Sequence, residues 1–342
     1  MRKYLPVMSL LATAVSFIVQ AQTIYVGGSG GSTETLMKEK IIPAFEAKTG
    51  AKVVYVPGNS TDILAKVQAQ KGKQEMSLAI IDDGPMYQAI GQGLCAPVED
   101  AGSIRELYPN AKMVGDKSVG IGFIATGLGY NKDVFAKNGW KAPTSWNDLA
   151  DPKYKGKVVI PPITNGYGLL TLVMQARVNG GGEANIDPGF DVMVKKVAPN
   201  VLAWEPSPGK MAQMMQTGEA ALVVWGNGRV LAVADQGAPV EFVYPREGAP
   251  VIMVAACVTE GAPQPKLGQQ FLQHLVSAEI QAHIAQGVGW GPVNKNTKVA
   301  PEVARKVVYG PAQVASLVAP DYSVINAKRA EWTQRWNRAV ER

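Results

Sequence analysis

The fold of this chain is decided by Glu219–Val258, EAALVVWGNGRVLAVADQGAPVEFVYPREGAPVIMVAACV. Its first apolar run, Ala220–Val224, predicts a buried strand that ends in a Gly-Asn-Gly turn. A short helix is expected over Gly228–Ala234, and two further strands over Val240–Val243 and Val251–Val258. Alternation of apolar strands with a helix is typical of an α/β protein.

Three polar or aromatic residues follow the first of these strands. Trp225 and Asn227 lie where the strand ends and the helix begins, and Arg229 comes two residues later. Ligands of open α/β sheets bind at this edge, and a helix N-terminus favours anions. We therefore expect a ligand contact here, although Arg229 is equally compatible with a solvated helix position. The Gly and Pro of residues 247–250 interrupt the strand pattern and predict a hinge.

The N-terminal half repeats the strand–loop–helix pattern three times. Strands are expected over Thr23–Val26, Lys52–Val56 and Met76–Ile81, and the first helix is expected to end at Thr49–Gly50. Short connections between alternating strands and helices predict a doubly wound lobe.

Each of these strands is followed by residues that suit a binding site. A glycine-rich loop over residues 27–33 can expose backbone N–H groups to an anion. The alternative interpretation of the same segment is a flexible turn. No Gly-Lys-Ser/Thr follows the loop, which disfavours nucleotide hydrolysis. The hydroxyl and carboxylate candidates can also serve simply as helix caps. They are Ser29, Ser32, Ser60, Thr61, Asp82 and Asp83.

The second half contains a similar edge. A strand over Val158–Ile160 leads through a Pro-Pro-Ile-Thr-Asn-Gly-Tyr segment into a helix over Leu169–Val178. Thr164, Asn165 and Tyr167 are therefore predicted to face the same ligand from the opposite side. The alternative is an ordinary cap with the tyrosine packed on the surface.

Six motifs resemble the solute-binding proteins of ABC importers, the group that includes polyamine, ferric-iron and phosphonate receptors. They occur in the expected order over almost the whole chain. They are Phe45…Lys48-Thr49-Gly50, Tyr130-Asn131-Lys132-Asp133-Val134-Phe135, Gly218-Glu219-Ala220, Trp225-Gly226-Asn227-Gly228, Pro245-Arg246-Glu247-Gly248-Ala249 and Gly289-Trp290-Gly291-Pro292-Val293-Asn294.

The resemblance implies a type II periplasmic binding protein fold, with two doubly wound α/β lobes joined by hinge strands. Lobe 1 is expected over residues 22–122 and 250–305, and lobe 2 over 123–249 and 306–342. The extended run over Gly115–Tyr130 corresponds to the first crossing between lobes. The resemblance also implies that a membrane permease reads the closed form, and we expect a monomer.

The first 21 residues predict a cleaved secretory signal. Arg2 and Lys3 precede an apolar segment over residues 5–19, and Val19-Gln20-Ala21 is a plausible cleavage site. Removal of the two basic residues lowers the formal charge from +6 to +4, without a basic cluster that suggests nucleic acid. A periplasmic location follows. Cys95 and Cys257 are expected to be two buried thiols, although export permits a disulfide.

The sequence lacks the common motifs of metal-dependent and redox catalysis. The sequence contains no His-Glu-x-x-His or Cys-x-x-Cys, and its single Gly-x-Ser-x-Gly spacing, residues 27–31, is part of the glycine-rich loop. His274 and His283 are nine residues apart, which is unsuitable for a shared metal site on one helix face. We therefore expect a binding protein that is not an enzyme and needs no cofactor or metal.

The ligand class follows from which charged residues are present. Polyamine receptors of the family hold two ammonium groups with carboxylates, whereas neutral residues, Asn165, Gly168, Ile252 and Val254, occupy several of the corresponding positions. Many ferric receptors use adjacent tyrosines, and the sequence contains no Tyr-Tyr pair. Both classes remain alternatives, as does an exported enzyme. The favoured ligand is a small organic anion or zwitterion, with its anionic group on the helix ends and Arg229 and any amine on Asp82 or Asp83.

Overall fold

A computed structural model describes residues 22–341. The predicted signal peptide and its cleavage site lie outside this range. The described chain forms ten strands, which are β1 Thr23–Gly28, β2 Lys52–Pro57, β3 Leu78–Asp82, β4 Val119–Asn131, β5 Val158–Ile160, β6 Val201–Trp204, β7 Leu222–Gly226, β8 Val240–Val243, β9 Ala249–Val258 and β10 Leu317–Val318.

Helices follow most of these strands. They are α1 Ser32–Leu36, α2 Ile42–Thr49, α3 Ser60–Ala69, α4 Asp83–Gly91, α5 Lys132–Lys137, α6 Gly166–Val178, α7 Asp187–Val192, α8 Pro208–Thr217, α9 Asn227–Asp235, α10 Pro265–Leu275, α11 Ala278–Val288, α12 Pro301–Ala304, α13 Pro311–Ala315 and α14 Tyr322–Ala339. One π-helical turn, Met37–Ile41, joins α1 to α2, and another, Met193–Val197, extends α7. None of the helices within residues 22–341 is both long enough and apolar enough to cross a bilayer.

The strands are hydrogen-bonded in the order β2-β1-β3-β9-β4-β7-β5-β6, with β8 on β4 and β10 on β9. β1 pairs in parallel with β2 and β3, while β5 pairs in parallel with β6 and β7. The long strand β4 connects the two groups because its first half pairs with β9 and its second half pairs with β7. This arrangement places two parallel α/β units on either side of antiparallel crossing strands.

The apolar core divides at the middle of β4. Buried residues up to Ala125, together with those between Ala249 and Val314, form one cluster. Residues from Leu128 onward, including the C-terminal helix α14, form two others. The predicted two-lobed α/β architecture is confirmed, while the residue boundaries of the lobes stay a prediction. Val308 and Val314 belong to the first cluster, although the segment that contains them was predicted to belong to lobe 2.

Helix α14, near the C-terminus, packs against both units. Trp332 and Trp336 are buried, as their four-residue spacing suggests, and Trp336 packs edge-to-face on Trp204. At the other end of the helix, Tyr322 stacks on Tyr87 of α4, with ring centroids 5.7 Å apart. The helix therefore packs in the second core and also contacts the first unit.

The two cysteines form a disulfide, so the expectation of two buried thiols is wrong. Cys95 and Cys257 are 162 residues apart in sequence, but their Cα atoms lie 5.7 Å apart. Cys257 lies in β9, and the backbone of Cys95 makes an isolated β-bridge with Thr259 at the end of the same strand. The return of the chain through β9 therefore brings the thiols together.

Candidate functional site

A cavity of about 750 Å³ lies between the carboxyl ends of strands from both units. The segments after β1 and β3 form one wall, and those after β5 and β7 form the other. Six of the twelve residues predicted as ligand contacts line this cavity. They are Ser29, Ser32, Asp82, Asn165, Tyr167 and Arg229.

The first wall is the glycine-rich loop after β1. The backbone of Gly31 has φ of 65°, a left-handed conformation that glycine adopts at little cost. The loop is fastened from behind by Tyr55, whose hydroxyl donates to the carbonyl of Ser29 at 2.8 Å. No side chain caps the helix that starts at Ser32, so the backbone N–H groups of its first turn remain available to an anion.

The opposite wall is the start of α6 together with the first turn of α9. The Asn165 side chain accepts a hydrogen bond from the N–H of Tyr167 at 2.9 Å and so caps α6. The hydroxyl of Tyr167 lies against Gly226 at the end of β7, where a Cβ atom would overlap it. Arg229 is exposed to the cavity and forms no ion pair with any residue between 22 and 341.

The opposite charges of Arg229 and Asp82 both act on the hydroxyl of Tyr167. Burial raises the pKa of Tyr167 to about 12, Arg229 opposes this rise, and Asp82 adds to it. At neutral pH the hydroxyl is therefore protonated and can donate to a ligand. Burial also raises the pKa of Asp82, whereas its hydrogen bond with Ser60 acts in the other direction.

Three of the other predicted residues are partly or fully exposed but do not line the cavity. The Ser60 hydroxyl accepts from the N–H of Asp82 at 3.1 Å, so it supports a cavity residue. Thr61 is exposed and its hydroxyl donates to Asn59, the cap of α3. Thr164 is exposed, and its carbonyl accepts from Arg329 at 3.1 Å.

The remaining three are buried in the protein. Asp83 has 3% of its surface exposed and accepts hydrogen bonds from backbone groups. Trp225 has 3% exposed and packs in the third core cluster. Asn227 is fully buried. Its side chain accepts a hydrogen bond from the N–H of Ala125 on β4 and donates one to the carbonyl of Lys306. Its contacts connect α9 to the crossing strand and to the C-terminal segment.

Several cavity residues were not predicted from sequence. Ile124, Ile252 and Val254 come from the crossing strands and form an apolar surface, and Trp290 follows the end of α11. At the rim, Lys306 pairs with Asp235 at 2.5 Å. Trp290 carried a sequence signal through its Gly-Trp-Gly-Pro motif, and Ile252 and Val254 occupy positions compared above with the carboxylates of polyamine receptors.

The donor set of the cavity suits binding of a small polar molecule. Backbone amides, hydroxyls and the guanidinium of Arg229 can hold an oxyanion, and a carboxylate such as Asp82 can hold an amine. Apolar side chains from the crossing strands can contact a short carbon chain between them. Within residues 22–341 there is no cluster of three or more His, Cys, Asp or Glu side chains that could hold a metal ion.

Comparison with known proteins agrees with this architecture. The spermidine/putrescine-binding periplasmic protein of Salmonella typhimurium is 26% identical over 196 residues, which are 56% of this chain and 55% of that protein. The putative 2-aminoethylphosphonate-binding periplasmic protein of Salmonella paratyphi A is 23% identical over 340 residues, 97% of this chain and 96% of that protein.

Solved structures share the fold. The crystal structure of an ABC transporter protein from Clostridium perfringens superposes with a TM-score of 0.81 and 22% identity, covering 93% of this chain and 99% of that one. The model of the family described as bacterial extracellular solute-binding protein matches residues 40–309. Because that match spans well over half of the sequence, the chain belongs to the bacterial extracellular solute-binding protein family.

Proposed function

We propose that this protein is a periplasmic receptor of an ABC importer that captures a small organic anion or zwitterion between its two lobes. It delivers this ligand to a permease in the inner membrane and catalyses no reaction. The lobes close around the ligand by rotation at the crossing strands, with the hinge at residues 247–250. The protein acts as a monomer.

The guanidinium of Arg229, which has no ion pair within residues 22–341, carries this proposal. An arginine without an ion pair, facing a cavity across from a glycine-rich loop, favours an anionic partner. Asp82 lies in the same cavity and supplies one carboxylate for an amine. A zwitterion with a short carbon chain matches both charges and the apolar surface between them.

A polyamine fits the same cavity less well. Its two ammonium groups each need a carboxylate when they leave water. The cavity offers three carboxylates, but Asp235 is paired with Lys306 and Glu302 is exposed at the rim. Asp82 is thus left to neutralise one end, while Arg229 repels the other.

Absence of catalysis is supported by the chemistry of the cavity lining. No cysteine or histidine is among the described residues that line it, and both cysteines are held in the disulfide. A nucleophile–base pair of the usual kind therefore does not face the ligand.

Calorimetry with the purified mature protein tests the ligand class. We expect 2-aminoethylphosphonate or a small amino acid to bind, and putrescine and spermidine to bind weakly or not at all. Arg229→Met should weaken the binding of an anionic ligand about 10- to 100-fold, because a hydrogen bond to a charged group contributes about 1.5–3 kcal/mol.

Arg105→Met is a matched control for this substitution. Arg105 lies outside the cavity, and its ion pair among residues 22–341 is a 3.6 Å contact with the exposed Asp100. Its loss should leave affinity unchanged. Tight polyamine binding that Arg229→Met does not weaken would contradict the proposed ligand class.

A further inference from the structure

Asp83 is a buried acid beside the ligand cavity without being part of its lining. One carboxylate oxygen accepts from the N–H of Gly84 at 3.0 Å, and the other from the N–H of Met253 on β9 at 3.1 Å. The hydroxyl of Tyr322 on α14 also hydrogen-bonds this carboxylate. Asp83 is therefore held by its own helix, by a crossing strand and by the C-terminal helix.

The charged surroundings of Asp83 contain no cation paired with it. Among residues 22–341, neither Asp83 nor Asp82 forms a salt bridge. The titratable and charged groups around it are Asp82 on β3, Tyr87 on its own helix, and Tyr322, Arg329 and Asp321 from the C-terminal segment.

Burial and the like charge of Asp82 favour the protonated form of the Asp83 carboxyl. Burial raises the pKa of Asp83 to about 7, the hydrogen bond from Met253 opposes this, and the neighbouring Asp82 adds to the rise. Burial and Asp83 raise the pKa of Tyr322, and Arg329 opposes this rise. Two adjacent carboxyl groups with like charge titrate as a pair.

We propose that Asp83 is a positioning residue that makes capture of a cationic ligand group by Asp82 depend on the release of a proton from the buried pair. This inference rests on the proposed function, because it needs a ligand whose amine lies at Asp82. Asp83 itself touches no ligand.

The direction in which affinity changes with pH follows from electrostatics. An ammonium group at Asp82 favours the ionised form of both carboxylates, so the bound state holds fewer protons than the free state. Affinity for an amine-bearing ligand should therefore fall as the pH drops below about 7. One proton limits the effect to about tenfold per pH unit. A ligand without an amine should show no such proton release from this pair.

The experiment compares wild-type protein with Asp83→Asn by calorimetry between pH 6 and pH 8. The probe is 2-aminoethylphosphonate, and ethylphosphonate is its control without the amine. Since both phosphonates titrate near neutral pH, the readout is the difference between proteins and between ligands. Repeating each titration in two buffers of different ionisation enthalpy counts the protons released.

We expect the two proteins to bind 2-aminoethylphosphonate alike at pH 6 and the wild type to bind it more tightly, by several-fold, at pH 8. Asp83→Asn should release fewer protons than wild type. Tyr322→Phe, which removes a hydrogen bond but keeps the carboxylate, should retain the pH dependence. A purely structural role would instead lower stability in both variants without changing the pH profile.

The outcomes separate this inference from the proposed function. Binding of neither phosphonate, and of no small amino acid, at pH 8 would overturn both. Binding of 2-aminoethylphosphonate with the same pH profile and proton count in wild type and Asp83→Asn would overturn the inference alone. If Asp83→Asn does not fold, equal proton release by the two phosphonates in the wild-type protein overturns it equally well.

Discussion

At the scale of single residues, the ligand cavity depends on a close contact between Tyr167 and Gly226. The tyrosine hydroxyl lies over the end of β7, and a Cβ atom at position 226 would overlap it. The same Cβ would approach Ile124 on the crossing strand at 3.0 Å. Glycine at this position therefore sets where the hydroxyl stands in the cavity.

Gly226→Ala should displace Tyr167 toward the cavity and weaken ligand binding about tenfold or more. Overpacking should also lower the free energy of unfolding by about 1–3 kcal/mol. Calorimetry and urea denaturation measure the two effects. Adding Tyr167→Phe removes the overlapping hydroxyl and should recover part of the stability. Unchanged affinity in Gly226→Ala would contradict the contact's role.

Asp83 also predicts how stability depends on pH. Burial first, and then Asp82, raises its folded-state pKa to about 7, above the 3.8 of an ordinary aspartate. Between about pH 4 and pH 7 the folded state holds more protons than the unfolded state, so the contribution of Asp83 to stability falls as pH rises.

Urea denaturation of ligand-free protein at pH 5 and pH 8 tests this dependence. Asp83→Asn should show a smaller loss of unfolding free energy between the two pH values than wild type. Asp151→Asn provides a control, because Asp151 is a partly exposed carboxyl whose hydrogen bond with Lys153 lowers its pKa. Asp151→Asn should lose as much unfolding free energy between pH 5 and pH 8 as the wild type does. Equal slopes in wild type and Asp83→Asn would contradict a raised pKa.

At the scale of elements, most strands and helices lie where hydrophobic patterning predicts them, but several ends differ. Helix α6 begins at Gly166, three residues before the predicted start, because Asn165 caps it. The segment that carries His274 and His283 forms two helices, α10 and α11, separated at residues 276–277. Strand β6 was not predicted, since four residues with little burial carry a weak pattern.

The predicted hinge is anchored at both ends of its turn. Glu247 accepts hydrogen bonds from the hydroxyl of Ser145 and the N–H of Trp146, whose indole donates to the carbonyl of Gly248. Gly248 has φ of 98°, and a Cβ atom there would overlap Val318 of β10. Glycine is therefore required where β9 begins.

Gly248→Ala should destabilise the protein more than Gly139→Ala, as measured by urea denaturation. Both positions have positive φ, but nothing lies within 4 Å of a Cβ at Gly139. The control should thus lose only the conformational term of about 1–2 kcal/mol. Val318→Ala should recover part of the excess loss. Equal losses at the two glycines would exclude the overlap with Val318.

At the scale of the whole molecule, the disulfide joins segments that are far apart in sequence. Cys95 precedes the first crossing and Cys257 lies near the end of β9, the return crossing strand, at a sequence separation of 162. A crosslink that closes so long a loop restricts the unfolded chain strongly, by about 5 kcal/mol in the chain-entropy model.

Replacing both cysteines with alanine should lower the free energy of unfolding by about 2–5 kcal/mol. Urea denaturation with and without dithiothreitol measures this loss. The reductant should destabilise the wild type and leave the double variant unchanged. Wild-type stability that is insensitive to full reduction would contradict a stabilising disulfide.

The family, most of the order of the elements and the edge of the sheet that carries the cavity could be predicted from the sequence. These features follow from local patterns, because apolar periodicity, glycine turns and helix caps act between residues close in the chain. Six predicted contacts line the cavity since they stand at the carboxyl ends of strands. The same rule also selected Trp225 and Asn227, which the fold buries.

Which of the two adjacent aspartates faces the cavity depends on the tertiary structure. Asp82 ends β3 and lines the cavity, whereas Asp83 begins α4 and points into the protein, because the chain turns between the two residues. The tertiary structure also decided the disulfide and the rim contact of Lys306 with Asp235. Each of these joins distant segments through the crossing strands, and no local pattern encodes such a pairing.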